Sequence, residues 1–156
     1  MARFLKLLLF LLFFSHSANA QTLEIKPAFT TLIVANIDSS INWYSNVFHL
    51  RVRNRVDNTV RGFKQAILIN STSMIELVEL NKTISQDSLL SQSPQGTRIR
   101  GINKFGFTVS NIDSLYKDLL SKNVRFYGKM VTDPISNKRT FLVTDPDGNL
   151  VQFFEL

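Results

Sequence analysis

From about residue 27 onward, short apolar strands alternate with amphipathic helices, and the order is played out twice. Phe29-Thr30-Thr31-Leu32-Ile33-Val34 has the two-residue period of a strand. Asn36 and Asp38 follow it, short polar side chains suited to accepting the unpaired N–H groups of a helix start. A helix over about 38–47 comes next, with Ile41, Tyr44, Val47 and Phe48 at three- and four-residue spacings on one face and Trp43 beside it. The stretch "LRVRNRV" at 50–56 predicts a strand with Arg51, Arg53 and Arg55 on one face. Segments at about 60–69 and 73–80, rich in Ile, Leu, Val and Phe, predict two more strands.

The second half repeats this order. Lys104 to Val109 reads as a strand, Asn111 and Asp113 open a helix to about Lys122, and strands are predicted at about 124–130, 138–144 and 149–155. "VANIDS" at 34–39 and "VSNIDS" at 109–114 place the same V-x-N-I-D-S at the same strand-to-helix transition. Asp147-Gly148, between the last two strands, is a hairpin signal. Between the halves, 81–101 contains "SQDSLLSQSPQGT", a polar linker that is long for a loop within a compact domain. The fold class is therefore α+β, with two βαβββ modules, 27–80 and 102–156, in tandem. One such module exposes an apolar sheet face it cannot cover alone, so two related by a pseudo-twofold are expected to form a half-closed barrel.

The first twenty residues change the picture of where the chain works. Arg3 and Lys6 precede eight apolar residues, Leu7 to Phe14, and then Ala18-Asn19-Ala20, the pattern of a signal peptide with cleavage after Ala20. The run is shorter than the roughly 18 apolar residues a membrane span needs. The expected mature chain, 21–156, is a single domain that is secreted or periplasmic and free of the membrane. Loss of Arg3 and Lys6 lowers the formal charge from +6 to +4. That charge is diffuse and accompanied by no nucleic-acid reading element, so no nucleic-acid partner is expected. With no cysteine, an exported domain has to be held by its core.

His16 would leave with the leader, so His49 is the one histidine of the expected mature chain. Neither a Cys/His zinc set nor a two-histidine, one-carboxylate iron triad can be assembled from it within one chain. His49 sits at a helix-to-strand junction, where a structural or solvent-facing role is expected.

Three segments together resemble the vicinal oxygen chelate superfamily, which includes glyoxalase I, bleomycin- and fosfomycin-resistance proteins and extradiol dioxygenases. They are "FTTLIVANIDSSINWYSNVFHL", "KFGFTVSNIDSLYKDLLSKNV" and "TDPDGNLVQFFEL". The resemblance implies a cup lined by strands of both modules, with four metal-binding positions that fall here on Phe29, Glu76, Lys104 and Gln152. Phe29 has no lone pair, and an ammonium about 4 Å from a divalent ion repels it by roughly several kcal/mol at an effective dielectric near 20. The expectation is that the family metal is absent and that no cofactor takes its place.

Side-chain alternation places Phe29, Thr31 and Ile33, Met74, Glu76 and Val78, Lys104, Gly106 and Thr108, and Leu150, Gln152 and Phe154 on the cup side. The candidate ligand-binding set is Phe29, Thr31, Glu76, Lys104, Thr108, Gln152 and Phe154. Glu76 and Lys104 have three readings: an ion pair closing the former metal site, recognition of a polar ligand, or catalysis with Glu76 as base and Lys104 stabilising negative charge. The arginines of 51–55 either steer an anion or protect a sheet edge. Asn70 and Asn81 fit glycosylation sequons, which matter only in a eukaryotic secretory host. Taken together, these features predict a protein that binds a small neutral or anionic molecule without a metal. The alternative is a glyoxalase-type lyase, isomerase or dioxygenase with a non-standard metal site. A homodimer, with or without exchanged modules, is compatible with the linker.

Overall fold

The V-x-N-I-D-S motif is a helix start used twice. Asn36 Oδ1 accepts from Ser39 N and Asn111 Oδ1 from Ser114 N, both at 2.9 Å, which satisfies an N–H group that the first helical turn leaves unpaired. The next residues, Ile37 and Ile112, are then carried straight into the core. A computed structural model describes residues 27–156, so the leader expected at 1–20 lies outside the described residues.

The first module runs β1 (Thr30–Val34), α1 (Ile37–Phe48), β2 (Arg51–Asn58), β3 (Phe63–Ile69) and β4 (Met74–Leu80). A short helix α2 (Gln86–Ser91), capped by Ser85, lies in the linker. The second module runs β5 (Lys104–Val109), α3 (Ile112–Ser121), β6 (Arg125–Phe126), β7 (Val131–Thr132), β8 (Arg139–Thr144) and β9 (Leu150–Glu155). Sheet order is β1-β4-β3-β2 in the first module and β5-β9-β8-β6 in the second, with β7 also on β8. In both, the first strand pairs in parallel with the last. The sheets are not closed into a barrel, and among the described residues no strand of one pairs with a strand of the other.

Two departures from the expected strands have local causes. The segment expected as a strand over 124–130 is cut short because Gly128 takes a left-handed φ of 86°. The chain then rejoins the sheet only at Val131, opposite Thr140. The three arginines do not share a face. The β2–β3 register slips between Val52 and Asn54 and leaves Arg53 in a bulge, so Arg51 and Arg55 fall on opposite sides of the sheet. Arg55 turns to the helix side and pairs with Asp38 and Asp57. A bulged, arginine-bearing edge is a poor template for a further strand.

The modules meet through α1. Its Tyr44 packs with Ala66, Leu68, Ile75 and Leu77 on the first sheet, while Val47, Trp43 and Phe48 reach the core built on Phe141, Val143, Val151 and Phe153 of the second. Phe48 lies 4.7 Å from Phe107 and 5.5 Å from Phe153, ring centre to ring centre. The D-P-D-G-N turn closes the seam: Asp147 Oδ1 accepts from Ala35 N at 2.8 Å, and Asp145 Oδ2 accepts from the buried Tyr44 hydroxyl at 2.7 Å. Burial, with the Asp145 carboxylate behind it, pushes the Tyr44 phenol far above its ordinary range. His49 takes the left-handed φ of 52° that ends α1 and is exposed, the solvent-facing of the two roles expected for it.

Each module repeats one ion-pair arrangement. Lys64 on β3 binds Glu79 on β4 at 2.7 Å, and Arg139 on β8 binds Glu155 on β9 at 2.7 Å and Asp113 at the start of α3 at 2.8 Å. The Lys64 ammonium, and after it the Ile37 N–H, holds the Glu79 carboxyl below its ordinary 4.5, and Arg139 does the same for Glu155. A depressed folded-state value means that the stabilisation is complete above the ordinary pKa and is lost as pH falls through the depressed one. The urea midpoint is therefore expected to be level near neutrality and to fall below about pH 4.5, with Glu79→Gln flattening that fall. An acid profile unchanged by Glu79→Gln would refute the assignment.

Candidate functional site

The sheet faces turned away from the helices carry the candidate residues. On the first sheet, Thr31 is opposite Glu76 across β1–β4, and Ile67 is opposite Glu76 across β4–β3. The Thr31 hydroxyl donates to Glu76 Oε2 at 2.6 Å, and the Gln65 side-chain amide donates to Oε1. Around this carboxylate the face is apolar, with Ile33 56% exposed and Phe29, just before β1, 59% exposed. On the second sheet, Gly106 is opposite Gln152 and Thr108 opposite Phe154. Gln152 is buried and its amide donates to Thr140 Oγ1 at 2.8 Å.

Lys104, at the start of β5, is exposed. Among the described residues it makes no ion pair with Glu76, so the closing pair considered for these two residues does not form within the chain. Its field reaches the turn after β7 instead. Asp133 is held below its usual range first by the Ser136 hydroxyl and N–H, and last by Lys104. The structure thus brings Thr31 to Glu76 and Thr108 to Phe154, and it leaves the side chains of Phe29 and Lys104 without hydrogen-bond or ion-pair partners among the described residues.

The four corners test poorly for a metal. Phe29 offers no donor atom and Lys104 is a cation. Both oxygens of Glu76 already accept hydrogen bonds, and Gln152 is turned to Thr140. Among the described residues no three of His, Cys, Asp and Glu converge as a metal set would. The family metal does not fit these residues.

Sequence reasoning missed two features. Asp145 and Asp147 carry more than a hairpin, because their side chains tie the second module to α1. Their partners are 101 and 112 residues away, beyond any local pattern. The turn between β3 and β4 was passed over as well, although Thr72 and Ser73 border an open pocket with Gly106, Phe107, Thr108 and Phe154. Asn70 builds that turn, its side-chain oxygen accepting from Thr72 N and Ser73 N at 3.0 and 2.8 Å.

Two tandem βαβββ modules, each with a parallel first-to-last strand pair and an outward sheet face, define a paired-module α+β protein of the glyoxalase type. The chain belongs to the Glyoxalase/Bleomycin resistance protein/Dioxygenase superfamily, whose model matches residues 26–153. Among solved structures, it is similar to a glyoxalase family protein from Enterococcus faecalis, with 16% identity, a TM-score of 0.68, and 85% of this chain and 97% of that one covered. A genomically encoded fosfomycin resistance protein from Listeria monocytogenes aligns at 15% identity and TM-score 0.65, over 85% of this chain and 94% of that one. The trypanothione-dependent glyoxalase I of Leishmania major aligns at 16% identity and TM-score 0.61, over 84% and 87%. At such identities the likeness is one of fold. No curated protein matches the chain.

Proposed function

We propose that this protein binds a small neutral or anionic molecule on the cup faces of its two sheets without a metal, and that it does so outside the cytoplasm. The observation that carries this reading is the state of Glu76, whose carboxylate is held by two neutral donors and flanked by the exposed apolar side chains of Phe29 and Ile33. A preset acceptor among apolar side chains is the usual make-up of a small-molecule site. Thr31 and Gln65 hold Glu76 ready to accept from a ligand hydroxyl or amide, and exposed Lys104 supplies the charge for an anionic group. The leader pattern of 1–20 supports export, and among the described residues no helix is long and apolar enough to cross a membrane.

Among the described residues no strand of one sheet pairs with the other, and the first outward face presents Phe29, Ile33, Val56 and Leu80 to solvent. Cover from a second copy of the chain is the arrangement we favour, with the faces of two chains completing each cup. A second reading, chemistry on the bound molecule, draws on the same fixed carboxylate, since Glu76 is oriented as a general base would be.

Metal analysis of the purified protein, together with a thermal-shift screen of neutral and anionic compounds, tests the proposal. Less than stoichiometric metal is expected, with hits that Glu76→Gln or Lys104→Ala weakens about tenfold. Lys104→Ala should keep stability within about 0.5 kcal/mol, as for an exposed position, while Glu76→Gln, which retains an acceptor oxygen toward Thr31 and Gln65, should cost about 1 kcal/mol. Full occupancy by zinc, nickel, manganese or iron would refute the metal-free reading, and hits indifferent to both variants would refute the site.

A further inference from the structure

The seam between the modules holds a second candidate site, and we infer that the pocket between the β3–β4 turn and the β5–β9 pair binds a neutral molecule that joins hydroxyl groups to a flat apolar body. Its walls are Thr72 and Ser73 of the first module and Gly106, Phe107, Thr108 and Phe154 of the second, around a cavity of about 570 Å³. That is within the range of roughly 300–1,000 Å³ usual for small-molecule sites.

Position 106 has to be glycine because the paired strand approaches it closely. A Cβ at Gly106 would lie 2.9 Å from the backbone oxygen of Gln152, too close for any side chain without a shift of the strands. Gly106 therefore leaves bare strand backbone as the floor, with Thr108 and Phe154 standing beside it as register partners.

The opposite wall is rigid. Asn70 Oδ1 accepts from Thr72 N, Thr72 Oγ1 and Ser73 N, and Asn70 Nδ2 donates to the Phe48 carbonyl at 3.1 Å. The Thr72 hydroxyl proton is thereby used, and its oxygen is left as an acceptor. The hydroxyls of Ser73 and Thr108 have no protein partner among the described residues and can both donate and accept. Phe154 supplies phenyl surface, while the Phe107 ring is turned to the core beside Phe48 and Phe153. Among the described residues no charged one borders the pocket, so a charged ligand would lose water there and gain no counter-ion from them. Hydroxyls on both walls, with the Phe154 ring beside one of them, suit a neutral polyol joined to an apolar ring.

This inference does not depend on Glu76 or Lys104, though it shares Thr108 and Phe154 with the proposed cup. The test is an amide chemical-shift titration of the full chain with phenyl β-glucoside, and with phenyl β-glucuronide as its anionic counterpart. Saturable shifts at Gly106, Thr108 and Ser73 are expected for the glucoside, alike at low and high salt. Thr108→Val keeps the side-chain shape and removes one hydroxyl, so it should weaken binding about fivefold, as should Ser73→Ala. Glu76→Gln should leave this affinity unchanged while weakening any cup ligand, which separates failure here from failure of the cup. No saturable shift at these amides, a glucuronide bound as tightly as the glucoside, or indifference to both hydroxyl deletions would overturn the assignment.

Discussion

Asp145→Ala is expected to cost about 3–4 kcal/mol of folding stability, through the loss of charge-assisted hydrogen bonds and the stranding of a buried donor. Asp145 is 5% exposed and gathers four donors: the Tyr44 hydroxyl at 2.7 Å, Asp147 N at 3.0 Å, Asn149 N at 2.8 Å and Asn149 Nδ2 at 2.9 Å. Alanine leaves the Tyr44 hydroxyl buried with no acceptor and frees the turn that places Asp147 against Ala35. Tyr44→Phe removes one of those bonds and leaves Asp145 its other three, so its cost should be about half as large. Urea unfolding of the two variants decides the matter. A loss under about 1 kcal/mol for Asp145→Ala, or a larger loss for Tyr44→Phe, would show that the turn is not the fastening described.

Phe153→Ala is the second large loss, expected at about 3–5 kcal/mol. The ring is 2% exposed and lies 5.5 Å from Phe48, 6.3 Å from Phe107 and 5.2 Å from Phe141, centre to centre. It therefore supports both the second sheet and the place where α1 crosses onto it. Truncation opens a cavity bounded by three rings that are themselves packed, so little collapse is available to fill it. Phe153→Leu, which restores most of the volume, should recover more than half of the loss. A variant unfolding with unchanged midpoint, or one in which leucine is no better than alanine, would contradict this account of the seam.

How much of this was legible follows from the range of each interaction. The V-x-N-I-D-S caps were readable because Asn36 acts on Ser39 and Asn111 on Ser114, three residues on. The side of each strand was readable for the same reason. Alternation put Glu76 and Thr31 together and Thr108 beside Phe154, as the strand pairing does. The bulge at Arg53 shifts that alternation by one residue with nothing in "LRVRNRV" to announce it, since the slip is set by the partner strand. Helix α2 was hidden because its stabilising feature is the Ser85 cap on Ser88 N, with no residue buried to give a periodic signal. The clasp of Asp145 on Tyr44, and the hollow over Gly106, arise only where distant segments are brought together.

The same clasp bears on the order in which the chain can become native. Tyr44 and Asp145 are 101 residues apart, and Ala35 and Asp147 are 112 apart, so the fastening must wait for nearly the whole polypeptide and closes a loop of high entropic cost. Until then the first half holds a phenol without its acceptor and the rings of Trp43 and Phe48 without the surface they rest on. A chain of this design completes its core only when its last strands arrive, so closure of that long loop is expected to come late in folding.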